Sequence, residues 1–403
     1  MARMDDRGGP LAGIRVIELG TMIAGPVAAT LLGDFGAEVI KIEPPKTGDP
    51  IRHSGPFVGE ESLYWNVEGR SKRSVTIDLR KPEGQALLRR LAEHADVLIE
   101  NFRPGTMKGW GIDYDVLRTV NPRLVMLSIS GFGQTGPNAA RPAYDRISLA
   151  YAGFLNMTGY PDRAPVRPGT AMADYQSALF GAYAIMIALY SRDARGGAGQ
   201  QIDLSLFEAV FRFTDVMITA YDKLGMDRER RGNKHFAASP GDHYKSADDR
   251  YIALTIAANN VFLRLCAAIG RPDLAVDPRF ESHIRRVEHY DAINDIVADW
   301  IKARPAAEAM AAFEANGVPH SLIYSPADIL NDPHYAARGA IATIAHPTIG
   351  ALKLPAIQPH FSTGPAPEMR PAPALGEDTD TVLTELLALS PESLAELRAS
   401  GVV

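Results

Sequence analysis

The first third of the chain alternates between strand-like segments and helical patterns. The first helical pattern begins at Pro26, a residue that is favoured in the first turn of a helix. Such alternation predicts a parallel β-sheet with helices packed on both faces. The strand-like segments are "IRVIEL" (14–19), "EVIKIE" (38–43), "SVTIDLR" (74–80), "DVLIENF" (96–102) and "LVMLSISGFG" (124–133).

Parallel sheets of this kind bind ligands beyond the carboxyl ends of their strands, so the loops that follow the strand-like segments are the candidate site. The first of them reads Gly20-Thr-Met-Ile-Ala-Gly25, which lacks the G-x-G-x-x-G fingerprint of a dinucleotide site. Walker, H-E-x-x-H, C-x-x-C and G-x-S-x-G motifs are also absent from the sequence. These absences argue against phosphoryl transfer, metal chemistry and serine hydrolysis, and we expect no metal site.

A later segment, "RPGTAMADYQSALFGAYAIMIALYSR" (167–192), places Asp174 just before an apolar run from Ala178 to Tyr190. Apolar or small residues on nearly every face predict a buried core helix, and the run is shorter than the roughly 20 residues that span a bilayer. The ordinary explanation for Asp174 is a helix N-cap. An active-site carboxylate is compatible with the same position, because the helix dipole favours the ionised form.

Composition sets limits on partners and location. A net charge of −6 gives no general attraction to nucleic acid or to an anionic membrane, so we expect neither as a partner. The single cysteine, Cys266, excludes an internal disulfide and lies among apolar helical positions, which predicts buried filler. The first residues contain no apolar signal-peptide core, and we expect a cytoplasmic protein.

Basic residues are concentrated in loops and near strand ends of the first half. Charge runs are usually solvated faces, but strand ends and loops are where phosphates are commonly held. The pattern favours a polyphosphate ligand such as coenzyme A, held without a classical phosphate loop. The basic residues are Arg70, Lys72, Arg73, Arg80, Lys81, Arg103 and Lys108.

An ordered set of segments resembles the family III coenzyme A transferases. That superfamily includes the formyl-CoA and carnitine CoA transferases and the α-methylacyl-CoA racemases. The segments are "LAGIRVIELGTMIAGPVAATLLGDFGAEVIKIEPP", "KRSVTIDLRKPEG", "DVLIENFRPG", "NPRLVMLSISGFGQTGP", "ADYQSALFGAYAIMIALYSR", "GGAGQQIDLSLFEA", "ALTIAANNVFLRLC" and "APALGEDTDTVL".

The resemblance implies an α/β fold with two domains and an interlaced homodimer. A large Rossmann-like domain with a mostly parallel sheet would comprise 1–200 and 325–403, from both ends of the chain. A linker or helix would follow over 201–230, and a smaller α/β domain over 231–324. The implied substrates are an acyl-CoA donor and a carboxylic acid acceptor, with no permanently bound cofactor.

The resemblance also assigns site residues. Asp174 would attack the thioester and form first a mixed anhydride and then an aspartyl-CoA thioester. The backbone N–H groups of Ile23 and Ala24 would face the reacting carbonyl. The implied coenzyme A contacts are Ile23, Ala24, Ile77, Asp78, Leu79, Arg80, Asn101, Phe102, Arg103, Tyr144 and Asp145.

This chain departs from the formyl-CoA enzymes at several positions. Pro44, Gly109 and Pro142 stand where basic residues are expected, and we expect the nearby Arg103, Lys108 and Arg141 to contact the phosphates instead. The glycine-rich lid of those enzymes aligns with "HFAAS" (235–239), which indicates a different lid and a different acyl group.

Two alternative functions remain open at this point. A racemase would remove an α-proton with a His/Asp pair, but this chain reads "PAYD" (142–145) where racemases have "GHD", so Tyr144 replaces the base. A non-catalytic acyl-CoA-binding protein could lose the carboxylate, whereas Asp174 is present. Arg163, Arg167 and His235 are candidates for binding a second carboxylate, which favours a small dicarboxylic acid with succinyl-CoA as a possible donor.

Overall fold

The structure is a computed structural model that describes residues 8–235, 238–364 and 367–403. Its contacts divide the chain into two compact units: Met1–Phe154, Arg167–Leu224 and Arg338–Val403 form the first, and Leu155–Val166 with Gly225–Ala337 form the second. Segments 155–166 and 325–337 therefore lie in the second unit, although the expected division placed them in the larger domain. Phe236 and Ala237, in the segment that aligns with the lid, are outside the described residues.

The first unit is built on a six-stranded parallel sheet. Its strands are β1 Arg15–Glu18, β2 Glu38–Glu43, β5 Lys72–Thr76, β6 Val97–Glu100, β7 Val125–Ser130 and β8 Gln201–Ser205. They lie in the order β5-β2-β1-β6-β7-β8, and Ile17 pairs with Ile40 on one side and Leu98 on the other. The five predicted strands are confirmed, and the segment after the long helix adds a sixth at the edge. Two short strands of the same unit, β3 Phe57–Val58 and β4 Glu61–Ser62, form a separate hairpin.

Helices cover both faces of this sheet, as the alternation predicted. They are α1 Ala24–Gly33, α2 Leu63–Glu68, α3 Pro82–Ala92, α4 Thr106–Gly109, α5 Tyr114–Val120, α6 Asp145–Tyr151, α7 Met172–Ala194, α8 Leu206–Phe211 and α9 Met217–Leu224, with a 3-10 helix over Pro50–His53. Because side chains alternate along a strand, Val16 and Ile17 belong to cores on opposite faces. α1 and α7 pack on the Val16 face and α3 on the Ile17 face.

The second unit contains a three-stranded antiparallel sheet of β9 Gly241–Lys245, β10 Tyr251–Thr255 and β11 His320–Leu322, in the order β11-β10-β9. Cys266 is buried in its core, where burial raises the pKa of the thiol to about 11, so the prediction of buried filler is confirmed. The helices of this unit are α10 Asn259–Ala268, α11 His283–Glu288, α12 Tyr290–Lys302, α13 Ala306–Ala315, α14 Pro326–Asn331 and α15 Pro333–Ala337, with a 3-10 helix over Pro272–Ala275.

The end of the chain returns to the first unit. A two-stranded hairpin is followed by two helices, and Val382 and Leu383 of the first helix are fully buried in the core on the Ile17 face. The backbone N–H of Asp78 donates to the carbonyl of Val402 at 2.8 Å, which joins the last residues to a predicted ligand loop. The elements are β12 Ile341–His346, β13 Gly350–Pro355, α16 Thr379–Leu387 and α17 Pro391–Ala399.

The long helix α7 is not buried on every face, which corrects the prediction. Ala178, Ile185 and Leu189 are in the core, whereas Leu179, Tyr183, Ile187 and Tyr190 are more than half exposed in the chain. Apolar composition alone does not distinguish a face that packs within a chain from one that remains open. No described helix is both long and apolar enough to cross a lipid bilayer.

Candidate active site

The loop between β1 and α1 closes tightly upon itself. A Cβ atom built on Gly20 would lie 3.0 Å from the Cα of Gly25, closer than such atoms pack. The two glycines therefore let the ends of the loop meet. The amide of Asn101 also holds this loop, because it accepts from the Thr21 N–H at 2.8 Å and donates to the Thr21 carbonyl at 2.9 Å.

The same loop presents two backbone donors. Within the part of the chain that the structure describes, the N–H groups of Ile23 and Ala24 have no hydrogen-bond acceptor. They lie at the start of α1, where the helix dipole is positive. Together they can donate to an oxygen that develops negative charge, which is the role the resemblance implies for them.

Asp174 lies in the first turn of α7 but is not its N-cap. The helix begins at Met172 with Ala171 as the N-cap residue, which corrects the capping interpretation. The neighbouring Asp145 supplies the missing acceptor, since its Oδ1 accepts from the backbone N–H of Ala173 at 2.7 Å. The Asp174 carboxylate is consequently not engaged as the cap.

The surroundings of Asp174 weaken its acidity. Burial, and to a smaller extent the nearby charge of Asp145, raise the pKa of Asp174 from 3.8 to about 7. A carboxylate that is poorly stabilised by solvent is a more reactive nucleophile once ionised. The arrangement of one buried carboxylate beside a second one thus suits covalent chemistry near neutral pH.

The start of α7 and the β1–α1 loop share one core. Ala171 and Tyr175, on either side of Asp174, pack against the hydrophobic cluster that contains Ile23 and Ala24. The Tyr175 hydroxyl donates to Glu68 of α2 at 2.8 Å, which fixes the first turn of α7. The structure thereby brings the predicted nucleophile and the predicted backbone donors to the same face of the sheet.

A cavity of about 420 Å³ lies at the carboxyl ends of β1, β2 and β5. The predicted contact residues Ile77, Asp78, Leu79, Arg80 and Phe102 line it. The lining residues that the sequence analysis did not single out include the cationic Lys46, the aromatic Trp110 and the carboxylate of Asp49. The rings of Phe102 and Trp110 meet edge to face at 5.3 Å, so they form one aromatic wall. The sequence offered one indication of Lys46 and Trp110, because both follow predicted strands, Lys46 after β2 and Trp110 after β6.

Other predicted contacts lie elsewhere. Arg103 and Lys108 line a separate cavity of about 180 Å³ together with the buried Glu100, whose pKa burial raises to about 7. Arg141 is exposed, with its guanidinium 5.0 Å from the centre of the Phe132 ring, and Tyr144 is 76% exposed. In the chain these residues do not converge on the cavity at 77–80.

Three of the basic residues serve the fold rather than a ligand, which corrects their interpretation. Arg70 pairs with Asp34 at 2.5 Å and Lys72 with Glu18 at 2.8 Å, and Arg73 is held by three carboxylates. They precede or begin β5, so they lie at the amino end of a parallel strand, away from the ligand edge. Lys81 donates to the carbonyl of Ser400.

Comparison with known proteins identifies the family. The sequence profile of CoA-transferase family III matches residues 11–379. The chain belongs to CoA-transferase family III. It is therefore an enzyme of the transferase class whose substrates are CoA thioesters.

Individual relatives are similar to this chain over nearly its whole length. The CoA-transferase is 41% identical over 396 residues to succinyl-CoA–D-citramalate CoA-transferase of Chloroflexus aurantiacus, covering 98% of each chain. It is 42% identical to the α subunit of succinyl-CoA–L-malate CoA-transferase of Chloroflexus aurantiacus, covering 98% of this chain and 92% of that one. A crystal structure of a CAIB/BAIF family protein from Brucella suis has a TM-score of 0.83 at 34% identity, covering 94% of this chain and 99% of that one.

Proposed function

We propose that the enzyme transfers CoA from succinyl-CoA to a small dicarboxylic acid through covalent intermediates on Asp174. The observation that supports this most directly is the half-buried Asp174 carboxylate, which does not cap its helix. Its neighbours Ala171 and Tyr175 pack against the core that contains Ile23 and Ala24, whose N–H groups have no acceptor among the described residues. The raised pKa of Asp174 supports a reactive carboxylate in the same place.

The proposed reaction has four substitutions at acyl carbons. An Asp174 oxygen attacks the donor thioester, the C–S bond breaks and the CoA thiolate leaves, giving a mixed anhydride. The thiolate attacks the aspartyl carbonyl and releases the donor carboxylate, leaving an aspartyl-CoA thioester. The acceptor carboxylate attacks that thioester and again displaces the thiolate. The thiolate finally attacks the acceptor carbonyl, which frees Asp174 and gives the new acyl-CoA.

Each tetrahedral intermediate places negative charge on a former carbonyl oxygen. The N–H groups of Ile23 and Ala24 would donate to that oxygen. Asp145 holds the first turn of α7 through Ala173 and, as a nearby negative charge, raises the pKa of the nucleophile. These roles need no metal and no net proton transfer.

The cavity at 77–80 suits the nucleotide part of coenzyme A. Lys46 and Arg80 would attract the phosphates, and the Trp110 wall would contact the base. Arg103 and Lys108, at the neighbouring cavity, would approach the phosphates from the other side of the β6 loop. Arg141 and Tyr144 line neither of these two cavities, so they would contact the ligand only at a surface outside both.

A dicarboxylic acceptor is supported by the relatives. Two that match at about 40% identity are named for succinyl-CoA with D-citramalate and with L-malate. Both acceptors are hydroxylated dicarboxylic acids, which fits the small dicarboxylic acid expected from Arg163, Arg167 and His235. Arg163 and Arg167 are exposed in the chain and remain the candidates for the second carboxylate.

We further propose a homodimer, since two helices of the first unit leave apolar faces uncovered. Leu179, Tyr183, Ile187 and Tyr190 recur along one side of α7, and no residue of α9 is buried. Contiguous apolar surface of this kind marks an interface, and a second copy of the chain offers the same surface. Sedimentation of a Tyr183→Asp variant tests this, since a monomer is expected at concentrations where wild type is dimeric.

The central experiment combines a substrate panel with trapping of the covalent species. We expect succinyl-CoA to donate to a hydroxy-dicarboxylic acid, with mass spectrometry detecting the new thioester. Hydroxylamine should modify the peptide around Asp174 only when acyl-CoA is present, and Asp174→Asn should abolish both results. Asp249→Asn, which changes an 84% exposed carboxylate outside both cavities, is the matched control and should behave as wild type.

The same samples test the racemase alternative. A racemase would introduce deuterium from solvent at the α-carbon of a 2-methylacyl-CoA without any acceptor acid. Rapid exchange with no adduct on Asp174 would contradict the proposed mechanism.

A further inference from the structure

A cluster of buried charges lies beneath the β1–α1 loop. Lys41 of β2 is fully buried, and its Nζ is 2.6 Å from Glu18, 2.8 Å from Asp49 and 2.9 Å from the carbonyl of Gly20. Burial alone would lower the pKa of Lys41, but Glu18, Asp49 and Glu43 around it raise the pKa above its usual value. The lysine therefore remains charged and pairs with Asp49.

Asp49 uses both carboxylate oxygens. Its Oδ1 accepts from the N–H of Met22 at 2.9 Å and from the N–H of Ile51 at 3.0 Å. Its Oδ2 is buried and lies 2.8 Å from Lys41 Nζ, an ion pair without hydrogen-bond geometry. Capping of the 3-10 helix accounts for the Ile51 contact alone. It does not require a buried lysine, nor a contact with a residue 27 positions earlier in the chain. The additional contacts all point to the β1–α1 loop.

Met22 is the residue of the loop that most needs a partner. Its φ is 64°, in the left-handed region that disfavours a side chain by about 1–2 kcal/mol. Thr21 is held by Asn101 on one side and Met22 by Asp49 on the other. The residues that follow immediately are Ile23 and Ala24, whose N–H groups face no acceptor in the described chain.

We propose that Asp49 is a positioning residue that holds Met22 in its left-handed conformation and thereby orients the Ile23 and Ala24 N–H groups toward the reacting carbonyl. This inference rests on the proposed function for its catalytic consequence. Its structural part, the control of the loop by Asp49, stands apart from any substrate. Lys41 supports the arrangement by pairing with Asp49 and by holding the Gly20 carbonyl.

The chemistry of the carboxylate makes graded variants informative. An asparagine at position 49 has one acceptor oxygen, so it can serve Met22 or Lys41 but leaves a donor facing a donor on the other side. An alanine serves neither. We therefore expect Asp49→Asn to retain part of the orientation of Ile23 and Ala24 and Asp49→Ala to lose it.

Asp34 provides a matched control in the same unit. It is also a buried carboxylate in an ion pair, with Arg70, but it lies at the opposite end of α1 from the β1–α1 loop. Asp34→Asn removes a comparable buried charge pair and should lower stability in a similar way. It should leave the conformation of residues 20–24 unchanged.

The first measurement is amide hydrogen exchange of the β1–α1 loop. We expect the N–H of Met22 to exchange at least about 10-fold faster in Asp49→Ala than in wild type, with a smaller change in Asp49→Asn and none in Asp34→Asn. Unchanged exchange at Met22 in Asp49→Ala would overturn the inference. This measurement needs no substrate, so it is decided even if the enzyme proves not to transfer CoA.

The second measurement separates binding from turnover. We expect kcat to fall about 100-fold in Asp49→Ala and about 10-fold in Asp49→Asn, because a displaced oxyanion donor costs about that much. Asp49 lines the cavity at 77–80, but its negative charge does not attract the phosphates, so the Kd for coenzyme A should rise less than about threefold. Equal losses of kcat in Asp34→Asn, or a loss of affinity with normal kcat, would overturn the positioning role. A wild-type enzyme without transferase activity would instead overturn the proposed function.

Discussion

Replacing Asp174 by asparagine should stabilise the protein at neutral pH while abolishing its activity. Folding raises the pKa of this carboxyl from 3.8 to about 7, chiefly through burial and secondarily through Asp145. The folded state therefore binds the proton more tightly than the unfolded state. An active site that holds an ionised carboxylate in such surroundings loses stability for the sake of reactivity.

The sign and the size of the effect follow from that shift. Below about pH 4 the carboxyl is protonated in both states, and its ionisation contributes no penalty. As the pH rises from about 4 to about 7 the unfolded chain ionises first, so the wild-type enzyme loses stability relative to Asp174→Asn. About three pKa units correspond to an upper limit of about 4 kcal/mol. Residual contact with solvent reduces the expected difference to about 1–3 kcal/mol.

The assay is denaturant unfolding of both proteins at several pH values between 4 and 8, at one protein concentration. The difference in unfolding free energy should grow with pH and level off above about pH 7. Asp115→Asn should show no comparable trend, because its side chain is 79% exposed and screened by water. A difference between Asp174→Asn and wild type that is independent of pH would refute the reasoning.

Three further outcomes are expected from the site. Asp145→Asn should move the acidic limb of the kcat profile to lower pH, because the pKa of Asp174 falls when the neighbouring charge is removed; an unmoved limb would contradict the coupling. Trp110→Ala should weaken coenzyme A binding by calorimetry about 5- to 150-fold, the usual value of base stacking, and leave pantetheine binding unchanged. Lys46→Ala should weaken binding of coenzyme A more than of dephospho-coenzyme A if it contacts the 3′-phosphate, and equal losses would place Lys46 at the diphosphate.

Several features of the molecule could be derived from the sequence. The β-branched segments and the helical patterns between them determine the parallel sheet, because burial on both faces requires continuous apolar strands. The pattern also places ligand loops at one edge, and residues 77–80 and Phe102 do line a cavity there. The family could be identified because its motifs recur in order along the chain. The position of Asp174 at the start of the long helix was equally evident.

Other features depended on contacts between distant segments. Asp174 looked like an N-cap, but Asp145, 28 residues before the capped N–H, fills that role. Arg70 and Lys72 looked like ligand contacts until the direction of β5 placed them against buried carboxylates. Both the uncovered side of α7 and its buried side are apolar, so hydrophobicity alone did not distinguish them.

The hydrogen bond from the Met22 N–H to Asp49 likewise depends on contacts between distant segments. The sequence contains an aspartate before a proline, which is typical of a simple turn, and a methionine in a glycine-flanked loop. Only the sheet places the ends of β1 and β2 side by side, with Lys41 beneath the loop. Local sequence determines which backbone conformations are accessible, whereas long-range hydrogen bonds decide which strained conformation is kept, because its energetic cost is met by partners that lie far away in the chain.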